Sequence, residues 1–388
     1  MNTSAQMPEA NMRFHYMDNL RAIAMLAGVL FHAALAFSVL AHPVWPTADR
    51  ENSLTVDAFV WFFHLFRMPL FFVVTGFFAA MLVQKRGMGA MLKNRLMRIV
   101  LPLLVFWPVV YVSMSCLIRM AIVRVENLSP LLQIIKPWLA NPQAPSAPPT
   151  LAHLWFLAYV MCFCILVWVA STLEWRRHLS WLESWLEAFT SMKGICFTPL
   201  LLMLALFGVP APFPAPESFF PQWWALLFYG SYFLIGFRLF HQTCWLDQLS
   251  PYAPKMLLIS LLVYAFFAYF LYVGGMAKSD LFSQAILAFL QAYIGYWMTL
   301  VCIIFGRRWL DVHHGILRYI ADASYWVYLI HLPLIFAIQI PLMDMNWPWV
   351  VKLSLSIGAT LSIAFLSYHL LVRQRLLGKF LNGNNSSR

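Results

Sequence analysis

Ten apolar runs divide this chain, and no other feature restricts its fold as strongly. They fall near residues 18–40, 55–83, 99–119, 151–172, 195–209, 221–240, 255–273, 282–305, 318–340 and 347–371. A membrane-crossing helix needs about 20 mostly apolar residues, and in hydrocarbon only a helix or a closed barrel satisfies its own backbone. Of the 388 residues 62% are hydrophobic and 11% charged, whereas a soluble domain carries roughly 25% charged residues. The expected fold is therefore all-α: a polytopic integral membrane protein of about ten transmembrane helices. The chain shows no internal repeat, and one transmembrane domain is expected over residues 1–372, followed by a polar cytoplasmic tail over 373–388. Arg13 precedes an apolar run ending in Leu40-Ala41, which has the look of a signal peptide. That run is too long for an h-region, so it reads as a retained first helix.

A formal net charge of +11 raises nucleic acid as a partner. The basic residues instead sit in short clusters between apolar runs, the pattern of topology signals and lipid-headgroup contact, so no nucleic-acid partner is expected. With the N-terminus inside, nineteen of the 26 Lys and Arg fall on the inner side and six on the outer, among them Arg50 and Lys352. Arg67 lies within a span. This asymmetry predicts that both termini are cytoplasmic. The six cysteines lie in or beside apolar runs without C-x-x-C spacing and read as small buried hydrophobes. The run Pro210-Ala211-Pro212-Phe213-Pro214-Ala215-Pro216 cannot hold a helix and reads as an ordered external loop.

Within the first run, Arg21 and His32 stand eleven residues apart. At 100° per residue that is about 20° past three full turns, so both share one helical face, separated by about 16 Å along the axis. A cation near one surface and an imidazole near the midplane are costly to place there, and such residues mark functional sites. Asp18, three residues before Arg21, is placed to pair with it. Arg67 occupies the middle of the second run with His64 one turn earlier. A mid-span arginine faces the bundle interior, and no carboxylate lies deep in any run. Its partner is then an anionic substrate group, or backbone carbonyls and water. Arg95 and Arg98, at i and i+3, point together at the inner mouth, where positive-inside topology and binding of nucleotide phosphates explain them equally. His153-Leu154-Trp155 opens the fourth run, and Ser324-Tyr325-x-x-Tyr328-Leu329-x-His331 brings another histidine to mid-depth in the ninth. Together with His32 and Arg67 these place several polar groups at one depth, as in an intramembrane cavity.

No D-x-D, G-x-S-x-G or P-loop is present, and His313-His314 has no further ligands around it, so no metal is expected. Two functions fit these residues. One is an enzyme in which His32 takes a proton from a hydroxyl. The other is a transporter or flippase for an anionic solute or glycan, disfavoured by the missing repeat and the missing mid-span carboxylates.

At these positions the chain resembles the acyltransferase-3 family of integral membrane O-acyltransferases. The shared pieces are Arg21-x10-His32, Arg67-Met68-Pro69-Leu70-Phe71-Phe72 leading to Thr75-Gly76-Phe77, Arg95-x-x-Arg98 with Pro102, His153-Leu154-Trp155-Phe156, and the Ser324–His331 stretch, all in the family's order. Thr75 stands where the family often has serine. The resemblance covers about residues 14–371 and is strongest to a branch thought to add succinyl groups to periplasmic glucans. It implies transfer of an acyl group, succinyl or acetyl, from cytoplasmic acyl-CoA to a hydroxyl of a periplasmic glucan or other oligosaccharide. The protein would sit in the bacterial inner membrane, with acyl-CoA as co-substrate and no permanently bound cofactor. In this reading Arg95 and Arg98 hold the CoA phosphates, and the pantetheine arm runs from Arg21 towards His32. His32 serves as general base or as an acyl-carrying nucleophile, and Asp18 orients Arg21. Arg67, with His64 beside it, binds the thioester oxyanion or a distal carboxylate. His153, Trp155, Tyr325 and His331 complete the substrate-binding set, His153 and Trp155 at the sugar entrance.

Overall fold

The computed structural model describes residues 14–143, 148–172, 194–273, 280–375, 377, 378 and 381. Among them there is no β-strand. The helices are α1 (His15–Ala34), α2 (Leu54–Arg86), α3 (Met88–Arg95), α4 (Leu101–Arg124), α5 (Pro130–Ala140), α6 (Trp155–Thr172), α7 (Gly194–Leu206), α8 (Trp223–His241), α9 (Cys244–Leu249), α10 (Ala253–Val273), α11 (Leu281–Trp309), α12 (Gly315–Leu342) and α13 (Trp349–Ser367). Nine helical stretches among the described residues are long and apolar enough to cross a membrane, with α3–α4 and α9–α10 each forming one stretch. They match nine of the ten expected runs, and the protein is an all-helical, multi-pass membrane protein. The tenth expected run is described as α7, 13 residues from Gly194 to Leu206, and the residues immediately before it lie outside the described residues. Of the cations that set the expected orientation, Arg13, Arg176, Arg177, Lys193, Lys278, Lys379 and Arg388 lie outside the described residues.

The helix boundaries follow local chemistry. Ser53 caps α2 by accepting from the Thr55 amide at 3.2 Å, and Asp280 caps α11 by accepting from Ser283 at 2.9 Å. Gly87 ends α2 at φ 81°, a conformation glycine adopts without the cost a Cβ brings. Between α3 and α4 the chain makes one π-helical turn, Leu96–Val100.

Helices α1, α2 and α11 form the centre: 67% of the apolar window in each is buried, against 22% in the stretches containing α4, α10 and α13. The outer helices present their leucines and phenylalanines outward, because the surroundings there are as apolar as a protein core. The same physics corrects the expectation for the cysteines. Only Cys164 is buried, while Cys116, Cys196 and Cys244 are exposed; an apolar side chain facing lipid needs no burial by protein.

The tightest seam joins α2 to α8. A Cβ added to Gly76 would lie 2.0 Å from the Phe233 carbonyl oxygen, and one added to Gly236 would lie 2.0 Å from that of Val73. The two backbones therefore touch through reciprocal glycines, the close approach that small residues permit between membrane helices.

At one end of the bundle the start of α1, the end of α2, the α3–α4 junction and the start of α12 converge. Arg21 donates to the Ala321 carbonyl at 3.3 Å and stands 5.8 Å from the Phe78 ring centre, and the Tyr325 hydroxyl donates to the Arg98 carbonyl at 2.9 Å. The opposite end is interlocked by polar contacts. Thr47 donates to Gln339 at 2.7 Å, and Lys352 pairs with Asp49 at 2.7 Å. Lys352, read from sequence as an outer cation, is thus buried in an ion pair rather than lying at a free surface. The proline-rich segment is ordered, and it reaches into the bundle: Phe213 is fully buried and its amide donates to Gln291 at 2.7 Å. Leu381, within the expected polar tail, is likewise buried; residues 382–388 lie outside the described residues.

Candidate active site

A cavity of about 420 Å³ runs into the bundle from the arginine-bearing end, within the size range of small-ligand sites. Helix α1 supplies one wall through Arg21, Met25, Gly28 and His32. These positions are spaced i, i+4, i+7 and i+11, one continuous helical face. Ten of the eleven residues singled out from sequence line this one space: His32, Arg21, Arg67, His64, Arg95, Arg98, His153, Trp155, Tyr325 and His331. Asp18 stands behind, pairing with Arg21 at 3.4 Å.

Helix α2 brings Arg67 to the centre. Arg67 is buried, its guanidinium carbon stands 4.6 Å from the Phe31 ring centre, and its Nε has no hydrogen-bond partner among the described residues. The cation–π contact offsets part of the cost of burial, and an anion in the cavity would offset the rest. Gly28 makes the room, since a Cβ there would lie 2.8 Å from Arg67 Nη1. One turn earlier on α2, His64 donates from Nε2 to the Phe213 carbonyl at 2.8 Å, which ties the cavity wall to the proline-rich segment.

The π-helical turn Leu96–Val100 follows directly on Arg95 and contains Arg98, and both side chains line the cavity mouth. Single π turns inside α-helices recur at functional sites. With Arg21 and Arg67 they bring four guanidiniums to the lining, against the single carboxylate of Asp322. The field inside favours anions.

Helix α12 forms the opposite wall through a stripe at i, i+3, i+6. Tyr325 bonds the Arg98 carbonyl, Tyr328 donates to the His153 carbonyl at 2.6 Å, and His331 meets His32, with 3.0 Å between His331 Nε2 and His32 Nδ1. The Trp45 ring lies nearly parallel to the His32 imidazole at 6.3 Å. His64, His153 and His331 are buried; of the four imidazoles only His32 keeps appreciable exposed surface, and it faces the cavity. Neither ring nitrogen of His153 has a hydrogen-bond partner among the described residues. Trp155, expected at a sugar entrance, lines the cavity as a buried residue with its ring 5.2 Å from that of Tyr229. Among the described residues no group of three or more His, Cys, Asp or Glu is arranged to hold a metal ion.

Sequence reasoning passed over Gly28, Phe31 and Tyr229, all of which line the cavity. The i, i+4, i+7, i+11 spacing from Arg21 to His32 would have found Gly28. For Tyr229 no signal separates it from the many other tyrosines.

Fold and cavity together define a multi-pass membrane protein built around a basic, histidine-lined internal chamber. The chain belongs to the acyltransferase-3 family, whose acyltransferase domain matches residues 14–369. Among its relatives is Glucans biosynthesis protein C of Escherichia coli K12, 27% identical over 388 residues covering 96% of this chain and 95% of the relative. Proteins of the same name from E. coli O157:H7 and O139:H28 are also 27% identical with the same coverage. No solved structure matches the chain.

Proposed function

We propose that this membrane acyltransferase moves a succinyl group from acyl-CoA, presented at the arginine-bearing end, to a hydroxyl of a periplasmic glucan. The observation that carries this reading is Arg67: a buried cation without an anionic partner among the described residues, in the same cavity as the accessible imidazole of His32. The glucan acceptor follows the name of the relatives, Glucans biosynthesis protein C. The protein would reside in the bacterial inner membrane with both termini cytoplasmic, as the distribution of Lys and Arg implies.

The chemistry follows from the residues. Arg95 and Arg98 hold the CoA phosphates by charge-assisted, fork-like hydrogen bonds. The thioester arm passes Arg21 and reaches His32 after about 16 Å, an extended arm's length. Arg67 takes the distal carboxylate of the succinyl group. His32 removes the proton from the acceptor hydroxyl as the oxygen attacks the thioester carbon. The tetrahedral oxyanion collapses, the carbon–sulfur bond breaks, and the thiolate takes that same proton from His32. One ester forms, one thioester is lost, and the imidazole returns to its starting state.

The test is CoA release by purified protein given succinyl-CoA or acetyl-CoA with a periplasmic glucan, beside His32→Ala. Acceptor-dependent release from succinyl-CoA that vanishes in the variant is the expected result. Release from acetyl-CoA alone would replace the donor. No release from either, with folded protein, would leave solute transport as the function.

A further inference from the structure

We infer that His331 is a positioning residue that fixes the tautomer of His32 and leaves His32 Nε2 as the proton acceptor; this rests on the reading of His32 as general base. A carbonyl oxygen only accepts. His331 Nδ1 lies 2.7 Å from the Tyr328 carbonyl, so Nδ1 carries the ring hydrogen. The lone pair of a neutral His331 is then at Nε2, 3.0 Å from His32 Nδ1. His32 Nδ1 must donate to it, and the lone pair of His32 is left at Nε2.

In a serine hydrolase triad a buried carboxylate performs this service for the catalytic imidazole. Among the described residues no carboxylate touches His32. The groups packed around it are His331, the Phe31 and Trp45 rings and, across the cavity, Arg67, His64 and His153. A second imidazole anchored on a backbone carbonyl takes the carboxylate's place. The anchor is itself held, because the Tyr328 hydroxyl donates to the His153 backbone carbonyl at 2.6 Å. When His32 accepts the acceptor's proton at Nε2, its Nδ1–H bond to His331 persists. The proton taken up at Nε2 is then placed on the cavity side of the ring, where the departing sulfur can receive it.

The experiment compares full-length wild type, His331→Ala and His331→Gln in detergent or nanodiscs, by steady-state kinetics and by nitrogen NMR of 15N-histidine-labelled protein. The His32 resonances are assigned by their loss in His32→Ala. Wild type should show His32 protonated at Nδ1 and bare at Nε2. His331→Ala should lose that preference and lower kcat by about a hundredfold, the lower end of a general base's contribution, with KM for donor and acceptor within about twofold. Glutamine offers an amide oxygen to His32 Nδ1 and should recover at least tenfold of the loss. A wild-type His32 protonated at Nε2 overturns the inference, and so does a His331→Ala variant that keeps kcat or changes KM alone. If His331→Ala does not fold, the wild-type spectrum and the glutamine variant decide. Should His32→Ala retain turnover, the general-base reading fails on its own, since the spectrum reports His331 independently.

Discussion

Gly28 and Arg67 share one volume: a Cβ on the glycine would sit 2.8 Å from the guanidinium Nη1. The neighbour is the far end of a flexible side chain, so alanine fits only by pushing the cation aside. Alanine also gains about 1 kcal/mol of helix propensity over glycine. Gly28→Ala should therefore leave thermal stability nearly unchanged while lowering kcat/KM for succinyl-CoA by tenfold or more. Unfolding curves and kinetics on one preparation check this separation.

Arg67→Met removes a buried charge that has no acidic partner among the described residues. Replacing buried ionic groups by apolar residues of similar volume is often neutral or stabilising, so the melting temperature should hold or rise. Discrimination between donors should collapse, because a charge-assisted hydrogen bond is worth about 1.5–3 kcal/mol. The preference for succinyl-CoA over acetyl-CoA, measured in direct competition, should fall by about ten- to a hundredfold.

Arg95→Ala and Arg98→Ala should raise KM for acyl-CoA by about tenfold each, the lower end of the same range. Acyl-pantetheine lacks the nucleotide phosphates and should be used equally well by wild type and both variants. If the truncated donor suffers as much as the full one, the arginines are not phosphate ligands.

Gly76→Ala and Gly236→Ala meet backbone, not side chain, at 2.0 Å. The helices would have to separate, and the cost should reach or exceed about 3 kcal/mol, the top of the usual overpacking range. Both variants should yield little folded protein in detergent and melt well below wild type, whereas Gly89→Ala, with nothing near its Cβ, should not.

Much of this site was visible in the sequence because polar residues in apolar runs are rare enough to announce themselves. Arg21, His32, Arg67 and His331 each interrupt a hydrophobic stretch, and the structure brings all four to one cavity. What escaped notice carries no such contrast. Gly28 offers no chemistry, only the absence of a Cβ. Lys352 looks like any loop cation until Asp49, 303 residues away, is brought to it. The π turn that follows Arg95 and contains Arg98 is a hydrogen-bond register, which the tie from Tyr325 to the Arg98 carbonyl accompanies and no local pattern encodes. Phe213 lies among prolines that forbid a helix, yet Gln291 and His64 draw it inward.

The reciprocal glycines of α2 and α8 have a meaning beyond stability. Lipid offers helices no hydrophobic reason to adhere, so cohesion must come from close atomic contact. The seam concentrates that contact at Gly76 and Gly236, and Arg67 and Tyr229 project from the same two helices about two turns further along. Burying the Arg67 guanidinium costs free energy, and a backbone seam close by holds its helix in place. The helices that carry the cavity's central cation are therefore themselves joined backbone to backbone.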